Sequence, residues 1–391
     1  MRILFTFAGG AGHFIPLVPI ARAAQCAGHE VAVGGQPALL KTIEREGFPA
    51  MDTGGITFRD DSIRAPLIEL NMEREYQVIS KSYAGRIARL RAAAIIALCA
   101  EWKPDLLVCD EMDFGCMIAS ERLRIPHATV LVIATGSFIR NHLIAEPLNA
   151  LRAEYGLPPD PELTMLRRYL VLSPFPPKYR APEFPLPATG HSFHPVTVNE
   201  HSFKEAAEWV AGRPDVPTVY FTLGTVFNVE SGDLFGRVLE GLKRLLVNVV
   251  VTVGPQIEPR EIGPQPGNVY VEKYIDQWLL LPRCDLVVSH GGSGTIIGAL
   301  AHGLPMVLLP IGADQPLNAR RCEELNIARV LNPIEATSEL VRETVAAVLA
   351  DPGYRESAAV MRNQIALLPD QMHALSLLEQ LAEQRAPVLA Q

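Results

Sequence analysis

The strongest constraint on the fold is a regular alternation of short apolar runs with longer helical patterns. The short runs are rich in β-branched and aromatic residues, and in the first half of the chain they occupy 2–8, 30–34, 105–109 and 127–133. Segments with apolar residues at helical spacing separate them, at 16–27, 36–46, 76–101 and 114–123. This order predicts right-handed βαβ units around a parallel sheet whose strands are too apolar to face water.

The alternation stops in a proline-rich stretch and then restarts. Residues 171–195 are predicted to be an extended connection, because proline does not continue a helix. Beyond this stretch, strands are predicted at 218–222, 247–253, 268–271, 285–289, 306–309 and 328–331. The helices predicted between them occupy 233–246, 295–302, 315–325 and 337–349.

We therefore predict two parallel-sheet domains, which a chain of 391 residues is long enough to form. The first domain covers 1–195 and the second covers 206–370, and a proline-rich linker over 171–205 joins them. The last segment, 371–391, contains an amphipathic helix that is expected to pack back toward the first domain.

Composition excludes several classes of protein. The net charge of −8 argues against binding along a nucleic-acid backbone, which requires an excess of Lys and Arg. Six scattered cysteines without a CxxC pair predict buried thiols in a reducing cytoplasm. No apolar run is long enough to span a bilayer, so we expect a cytoplasmic protein. Walker A, HExxH and Asp-x-Asp motifs do not occur, and we expect no metal and no cofactor.

Two glycine-rich loops follow predicted strands, at the edge where parallel sheets bind ligands. The second loop, 290–295 (HGGSGT), opens a helix, and the N–H groups of Ser293, Gly294 and Thr295 are expected to point at an anion. His290 is expected to donate a further hydrogen bond to that anion. The alternative is a structural turn beside a core histidine.

The first loop, 8–13 (AGGAGH), does not predict a nicotinamide site, because no acidic residue ends the second strand. His13 is a candidate general base, and the alternative is a helix-capping or core histidine. Asp110 follows a strand and is expected at the same sheet edge, where a carboxylate can orient an imidazole. Asp113 is a second candidate, and either aspartate can instead cap the next helix.

Five motifs in order resemble those of the family-one inverting glycosyltransferases of the GT-B fold. They are GAGH at 10–13, FTLGT at 221–225, YIDQ at 274–277, HGGSGT at 290–295 and GADQPLN at 312–318. The resemblance covers nearly the whole chain and is greatest to bacterial members that decorate antibiotics such as macrolides. It implies an α/β fold of two Rossmann-like parallel-sheet domains facing each other across a cleft. It also implies metal-independent transfer of a sugar from a nucleotide-diphosphate sugar to an aglycone.

The resemblance further implies roles for individual residues. His13 would deprotonate the acceptor hydroxyl, and Asp110 would orient its imidazole. The donor diphosphate would be bound by Thr225, His290, Gly292, Ser293, Gly294 and Thr295. The donor base and ribose would be held by Tyr274, Ile275 and Gln277. The donor sugar would be held by Asp314 and Gln315.

Departures from the family pattern bear on the identity of the donor. Plant members have Trp and Pro where this chain has Tyr274 and Asp276. They also carry a glutamate that binds both ribose hydroxyls, and the matching position here is Gly298. A donor that lacks the ribose 2′-hydroxyl loses less from the missing glutamate. The sequence therefore favours dTDP-sugars over UDP-sugars.

The acceptor is expected to be a lipophilic natural product bound by the first domain. Side chains from two variable loops are candidates to line its site, although such residues more often form core. These candidates are Phe58, Met72, Tyr76, Tyr83, Phe138 and His142.

The sequence leaves two other functions and the oligomeric state open. One alternative is a UDP-sugar-dependent lipid or cell-wall glycosyltransferase. Another is a non-catalytic nucleotide-sugar-binding auxiliary protein, against which the pairing of His13 with Asp110 argues, because binding alone needs neither residue. We expect no nucleic-acid partner, and a homodimer is compatible with the sequence.

Overall fold

The computed structural model describes residues 1–55, 64–195 and 204–390, which form two compact units. Among the described residues, unit 1 consists of 1–55, 72–195 and 368–390, and unit 2 consists of 64–71 and 204–367. Each unit is built around its own parallel sheet, as the alternating pattern predicts.

The sheet of unit 1 has seven parallel strands in the order β3-β2-β1-β4-β5-β6-β7. The strands are β1 (Arg2–Thr6), β2 (Glu30–Gly35), β3 (Ala50–Asp52), β4 (Leu106–Asp110), β5 (His127–Val130), β6 (Leu170–Ser173) and β7 (Gly190–Ser192). The central strands are buried along almost their whole length, which explains their continuous apolar sequence. The strand order reverses between β1 and β4, so the loops that follow these two strands flank a switch point.

Helices cover both faces of this sheet. Those that precede β6 in sequence are α1 (Ala11–Phe14), α2 (Val18–Cys26), α3 (Leu40–Arg45), α4 (Met72–Gln77), α5 (Ala88–Trp102), α6 (Phe114–Leu123) and α7 (Asn141–Glu154). A π-helical stretch, Val78–Ile87, joins α4 to α5. The packing of α2 and the carboxyl-terminal helix on the sheet includes Phe5, Phe14 and Leu378 in one buried cluster.

The prediction that 171–195 is an extended connection is wrong, because this stretch supplies the last two strands of the sheet. Val171 of β6 pairs with Gly190 of β7. Every proline of the stretch falls outside the two strands, so the ladder of hydrogen bonds is not interrupted. Part of the predicted linker, 196–203, lies outside the described residues.

The sheet of unit 2 has six parallel strands in the order β10-β9-β8-β11-β12-β13. The strands are β8 (Thr218–Thr222), β9 (Asn248–Thr252), β10 (Val269–Glu272), β11 (Leu286–Ser289), β12 (Met306–Leu308) and β13 (Ala328–Val330). The helices are α8 (Lys204–Ala211), α9 (Leu234–Leu242), α10 (Gln277–Leu280), α11 (Ser293–Ala301), α12 (Gln315–Glu324), α13 (Ser338–Ala350) and α14 (Pro352–Ala366). The order reverses between β8 and β11, which places a second switch point at their carboxyl ends.

Two segments belong to one unit although the residues next to them in sequence belong to the other. The last helix, α15 (Gln371–Gln384), packs on α2 within unit 1. Residues 64–71 belong to unit 2, whereas the predicted first domain covers 1–195 without a break. Ala65 N–H donates to the Val229 carbonyl at 2.8 Å, and Leu67 packs against the core of unit 2.

The cysteines are all free thiols, and five of the six are buried. Cys26 is exposed, so the prediction of six buried thiols is wrong at this position. It ends α2, whose buried face is formed by Val18, Pro19, Ile20, Ala21 and Ala24.

Within the described ranges, no helix combines the length and the apolarity that crossing a membrane requires.

Candidate functional site

The switch point of unit 1 brings His13 and Asp110 together. His13 lies in the one-turn helix α1, directly after the loop that follows β1, and Asp110 is the last residue of β4. Because β1 and β4 are neighbours in the sheet, His13 Nδ1 lies 3.4 Å from Asp110 Oδ1. The His13 side chain is 23% exposed and that of Asp110 is fully buried. The imidazole is therefore in contact with solvent, whereas the carboxylate behind it is not.

Several contacts fix this pair in place. Asp110 Oδ2 accepts a hydrogen bond from Ala8 N–H at 2.6 Å, and Oδ1 accepts one from Met112 N–H at 2.5 Å. Gly9 lies beneath the imidazole, and a Cβ at this position would stand 2.4 Å from His13 Cδ2. The ring of Tyr83, from the π-helical stretch, lies nearly parallel to the imidazole at 6.2 Å between centroids.

Asp113, the other candidate partner for His13, has a structural role. Arg91 donates to its two carboxylate oxygens at 2.8 and 2.6 Å, and both side chains are almost completely buried. Asp113 also caps α6 by accepting from Cys116 N–H at 3.2 Å. A carboxylate that is committed to a bidentate ion pair and a helix cap is not available to orient an imidazole.

Glu111, which the sequence analysis did not single out, anchors the loop after β5. Its Oε1 accepts hydrogen bonds from Val132 N–H and Ile133 N–H, both at 2.6 Å. Burial raises the pKa of Glu111 to about 7, although these N–H groups and the charge of Arg180 oppose the shift. Its position directly after Asp110, at the carboxyl end of a strand, is the signal that points to it in the sequence.

The switch point of unit 2 holds the second glycine-rich loop. His290 follows β11, and its ring lies between two glycines: a Cβ on Gly224 would stand 2.7 Å from Nε2 and one on Gly292 would stand 2.6 Å from it. Burial lowers the pKa of His290 to about 4, so the imidazole is neutral at pH 7. No hydrogen-bond partner for its buried Nδ1 occurs among the described residues, and buried polar groups of this kind normally have one.

The helix that follows this loop, α11, presents its amino terminus at the same edge. Gly292 is the residue before the helix, and Ser293 and Gly294 form its first turn, where N–H groups lack acceptors within the helix. Thr295 departs from the prediction, because its N–H donates to the Gly292 carbonyl at 3.0 Å. The N–H of Thr295 is therefore already used within the first turn. Of the three predicted N–H donors, those of Ser293 and Gly294 remain for an anion.

The two residues predicted to bind the sugar, Asp314 and Gln315, differ in exposure and in hydrogen bonding. Asp314 is partly exposed, and its Oδ2 accepts from the Ser293 hydroxyl at 2.7 Å. Gln315 is 2% exposed, and its Oε1 accepts from Ile311 N–H at 2.8 Å and Gly312 N–H at 3.1 Å. The amide oxygen of Gln315 is thus committed to shaping the loop after β12, which the motif alone does not reveal.

The stretch predicted to hold the donor base lies between β10 and α10. Tyr274 is 56% exposed and Ile275 is buried, so Tyr274 offers more surface to solvent than the residue that follows it. Asp276 caps α10 by accepting from Trp278 N–H at 3.0 Å, which accounts for an aspartate where the family pattern has proline.

Gln277 connects this stretch to α11. It donates from Nε2 to the Gly294 carbonyl at 3.0 Å and packs beside Gly298, where a Cβ would stand 3.3 Å from Nε2 and 2.9 Å from Leu281 Cδ1.

Thr225 is exposed in the loop after β8, and its carbonyl accepts from Gln256 at 3.2 Å.

The structure brings some of the acceptor candidates into contact. Tyr76 and Phe138 lie 5.9 Å apart between ring centroids, and the Arg140 guanidinium lies 5.3 Å from the Tyr76 ring. Met72 is partly exposed at the start of α4, and His142 is exposed on α7. Phe58 lies outside the described residues.

Across residues 1–55, 64–195 and 204–390, no group of three or more His, Cys, Asp or Glu side chains has an arrangement that could hold a metal ion.

Two parallel-sheet units, each with polar loop residues at its switch point, form the architecture of the GT-B glycosyltransferases. The protein is a glycosyltransferase of this fold and is similar to those of antibiotic biosynthesis. Residues 236–381 match the family described as Erythromycin biosynthesis protein CIII-like, C-terminal domain. The predicted fold and enzyme class are thereby confirmed.

Individual relatives match the chain over nearly its whole length. The chain is 27% identical to the 3-alpha-mycarosylerythronolide B desosaminyl transferase of Saccharopolyspora erythraea, over 98% of this chain and 99% of the relative. It is 28% identical to the TDP-daunosamine transferase DnrS of Streptomyces peucetius, over 99% and 98%. Among solved structures, the spinosyn rhamnosyltransferase SpnG complexed with thymidine diphosphate has a TM-score of 0.81 at 24% identity, covering 97% of this chain and 100% of that one.

Proposed function

We propose that this protein is an inverting glycosyltransferase that moves a sugar from a dTDP-sugar to a hydroxyl of a lipophilic natural-product acceptor, without a metal ion. The observation that carries the proposal is the pairing of His13 with Asp110 at 3.4 Å at the switch point of unit 1. A partly exposed imidazole backed by a fully buried carboxylate is the arrangement of a general base whose charge is compensated when it takes a proton.

The proposed reaction is a single displacement. His13 Nε2 takes the proton of the acceptor hydroxyl, and the oxygen forms a bond to the anomeric carbon of the sugar. The bond between that carbon and the diphosphate oxygen breaks, and the electron pair leaves with the nucleoside diphosphate. Attack opposite to the leaving group inverts the anomeric configuration. The buried Asp110 stabilises the imidazolium, which then loses its proton to solvent.

The leaving diphosphate would be stabilised by unit 2. The N–H groups of Ser293 and Gly294 and the positive end of the α11 dipole favour an anion at this position. His290 would add a hydrogen bond from a neutral ring, since burial lowers its pKa to about 4. Fixed dipoles of this kind stabilise charge that develops on a leaving group.

The nucleoside is proposed to be thymidine. Gly298 carries no carboxylate for a ribose 2′-hydroxyl, and the side chains of Gln277 and Leu281 occupy the space beside it. The similar transferase of Streptomyces peucetius is named for a TDP-sugar, and SpnG was crystallised with thymidine diphosphate. The acceptor is proposed to be an aglycone of the kind that these relatives glycosylate.

Replacing His13 with Ala tests the mechanism. We expect transfer to fall by about two to four orders of magnitude, the range that a positioned general base contributes. Binding of dTDP, measured by thermal shift, should stay as in the wild type. His373→Ala, on the exposed face of α15, is the matched control and should leave both measurements unchanged. Undiminished transfer by His13→Ala would remove this residue from the mechanism.

A donor comparison tests the nucleoside. The purified protein is titrated with dTDP and UDP, and with dTDP-glucose and UDP-glucose, and the melting temperature is followed. We expect the thymidine ligands to stabilise the protein at lower concentrations than the uridine ligands. Tighter binding of the uridine ligands would contradict the thymidine assignment while leaving the role of His13 untouched.

A further inference from the structure

The side chain of Asn318 lies where the two loops of the unit 2 site meet. Asn318 is on α12, one turn after Asp314, and is fully buried. Its Nδ2 lies 3.1 Å from the Gly291 carbonyl, 3.1 Å from the Ser293 hydroxyl oxygen and 2.8 Å from Asp314 Oδ2. One amide group therefore contacts the loop after β11, the first turn of α11 and the aspartate that directly precedes α12.

Two side chains donate hydrogen bonds to a single carboxylate oxygen. Asp314 Oδ2 accepts from Asn318 Nδ2 at 2.8 Å and from the Ser293 hydroxyl at 2.7 Å. Two neutral donors on one oxygen fix the plane of the carboxylate, because charge-assisted hydrogen bonds are short and directional. The same donors tie Asp314 to the glycine-rich loop.

We propose that Asn318 is a positioning residue that holds Asp314 in the orientation in which it binds the sugar of the donor. The proposal rests on the proposed function, in which the glycine-rich loop contacts the diphosphate, and on the sugar contact that the family resemblance implies for Asp314. Asn318 then links recognition of the sugar to recognition of the diphosphate.

The environment of Asn318 shows that its polarity serves these loops. A buried amide is costly unless it is hydrogen-bonded, and Asn is a poor residue for a helix interior. A leucine of similar volume would fill the same space in the core. The three contacts of Asn318 Nδ2 that compensate for burial of this group go to residues of the donor site.

Another buried asparagine in the same unit provides a matched control. Asn248 begins β9 at the amino-terminal edge of the sheet, and its Nδ2 donates to the Pro214 carbonyl at 3.1 Å. It is 2% exposed and contacts none of the loops after β8, β11 or β12 through a described hydrogen bond. Its replacement therefore reports the general cost of losing a buried amide.

The experiment measures dissociation constants for dTDP and for dTDP-glucose by calorimetric titration of the full chain. We expect wild type to bind dTDP-glucose more tightly than dTDP, and Asn318→Leu to lose about tenfold in affinity for dTDP-glucose with a much smaller loss for dTDP. Tenfold corresponds to one hydrogen bond to a charged group. Asn248→Leu is expected to leave the ratio of the two constants unchanged. Ser293→Ala removes the hydroxyl that is the second donor to Asp314 and keeps the backbone N–H proposed to contact the diphosphate, so it gives the same test by a milder change if Asn318→Leu does not fold.

The outcomes separate this proposal from the one on which it rests. Equal losses for dTDP and dTDP-glucose, or an unchanged ratio, would overturn the positioning role alone. A wild-type protein that binds dTDP but gains no affinity from the glucose would overturn the sugar contact of Asp314 and the role of Asn318 with it. Failure to bind either thymidine ligand would instead overturn the proposed donor.

Discussion

Two adjacent carboxylates at the end of β4 hold the loops on either side of that strand. Asp110 accepts from the N–H of Ala8 in the loop after β1, and Glu111 accepts from the N–H groups of Val132 and Ile133 in the loop after β5. Because β1 and β5 both flank β4, one strand end organises both neighbouring loops. The pair shows how residues next to each other in sequence acquire separate tasks.

Glu111 should give the protein a characteristic dependence of stability on pH. Burial raises its pKa to about 7 from an ordinary value of 4.5. A carboxyl with a raised pKa contributes stability that is fully present below 4.5 and is lost as the pH rises through 7. The free energy of unfolding of the wild type should therefore fall between pH 5 and pH 8, and Glu111→Gln should remove this fall. Urea denaturation over this pH range measures both. Glu383→Gln, at an exposed position on α15, is the control, and an equal slope for wild type and Glu111→Gln would contradict this assignment.

Two neighbouring glycines allow a test of the fit beneath His13. A Cβ on Gly9 would stand 2.4 Å from the imidazole, whereas one on Gly12 meets nothing within 4 Å. Gly9→Ala must therefore displace the ring, and we expect transfer to fall by about a hundredfold, since misplacement by about 1 Å has this effect. Gly12→Ala should retain activity in the same assay. Equal activities of the two variants would show that the position of the ring is not critical.

At the scale of secondary structure, α5 and α6 are joined by a buried ion pair that supports the site indirectly. Arg91 of α5 donates to both oxygens of Asp113, which also caps α6 directly after Asp110 and Glu111. Gly115 lets the two helices approach closely, since a Cβ there would stand 2.6 Å from the Ala88 carbonyl oxygen. The segment that carries Asp110 is therefore fixed by helix packing as well as by the sheet.

Breaking this ion pair should cost stability without a direct effect on chemistry. We expect Asp113→Asn to lower the free energy of unfolding by about 3–5 kcal/mol, because it leaves a buried guanidinium without its counter-charge. Glu154→Gln breaks the exposed pair with Arg89 and should cost far less stability, because solvent screens the two charges. Chemical denaturation of the two variants measures the difference. A loss for Asp113→Asn as small as that for Glu154→Gln would show that the buried pair adds little.

At the scale of the whole molecule, both units follow one plan. Each has a parallel sheet whose strand order reverses once, and each places its candidate residues in the loops that follow the two strands at the reversal. Each unit also contains a buried histidine whose pKa burial lowers to about 4, namely His127 in unit 1 and His290 in unit 2. The units are thus expected to respond alike to acid.

These histidines predict a loss of stability as the pH falls. Their folded pKa lies below the unfolded value near 6.5, so unfolding takes up protons between pH 6.5 and about 4. Each contributes on the order of 3 kcal/mol over that range. We expect His127→Gln to flatten the decline of the unfolding transition of unit 1, followed by calorimetry from pH 7 to pH 4. An unchanged decline would show that His127 becomes protonated without unfolding.

Much of the architecture was predictable from the order of apolar runs and helical patterns. The two central strands of each sheet and the helix from 114 to 123 lie at or near their predicted bounds. The misses are short strands. β3 (AMD) and β7 (GHS) contain no β-branched residue and no Phe, Tyr or Trp, and β6 ends directly before Pro174 in a proline-rich stretch, so none of the three has the sequence pattern that marked the other strands.

The sequence by itself determined where polar loop residues stand relative to strand ends, which is why it predicted His13, Asp110 and the 290–295 loop. A local motif identifies a residue that follows a strand. The parallel sheet then places that residue at the edge where the strands end. Only the tertiary structure decided how each side chain is used. It committed Asp113 to Arg91, Asn318 to the Gly291 carbonyl, and Glu111 to the N–H groups of the loop after β5. Hydrogen-bond partners are chosen by distances across the fold, and residues far apart in sequence carry no local pattern that records those distances.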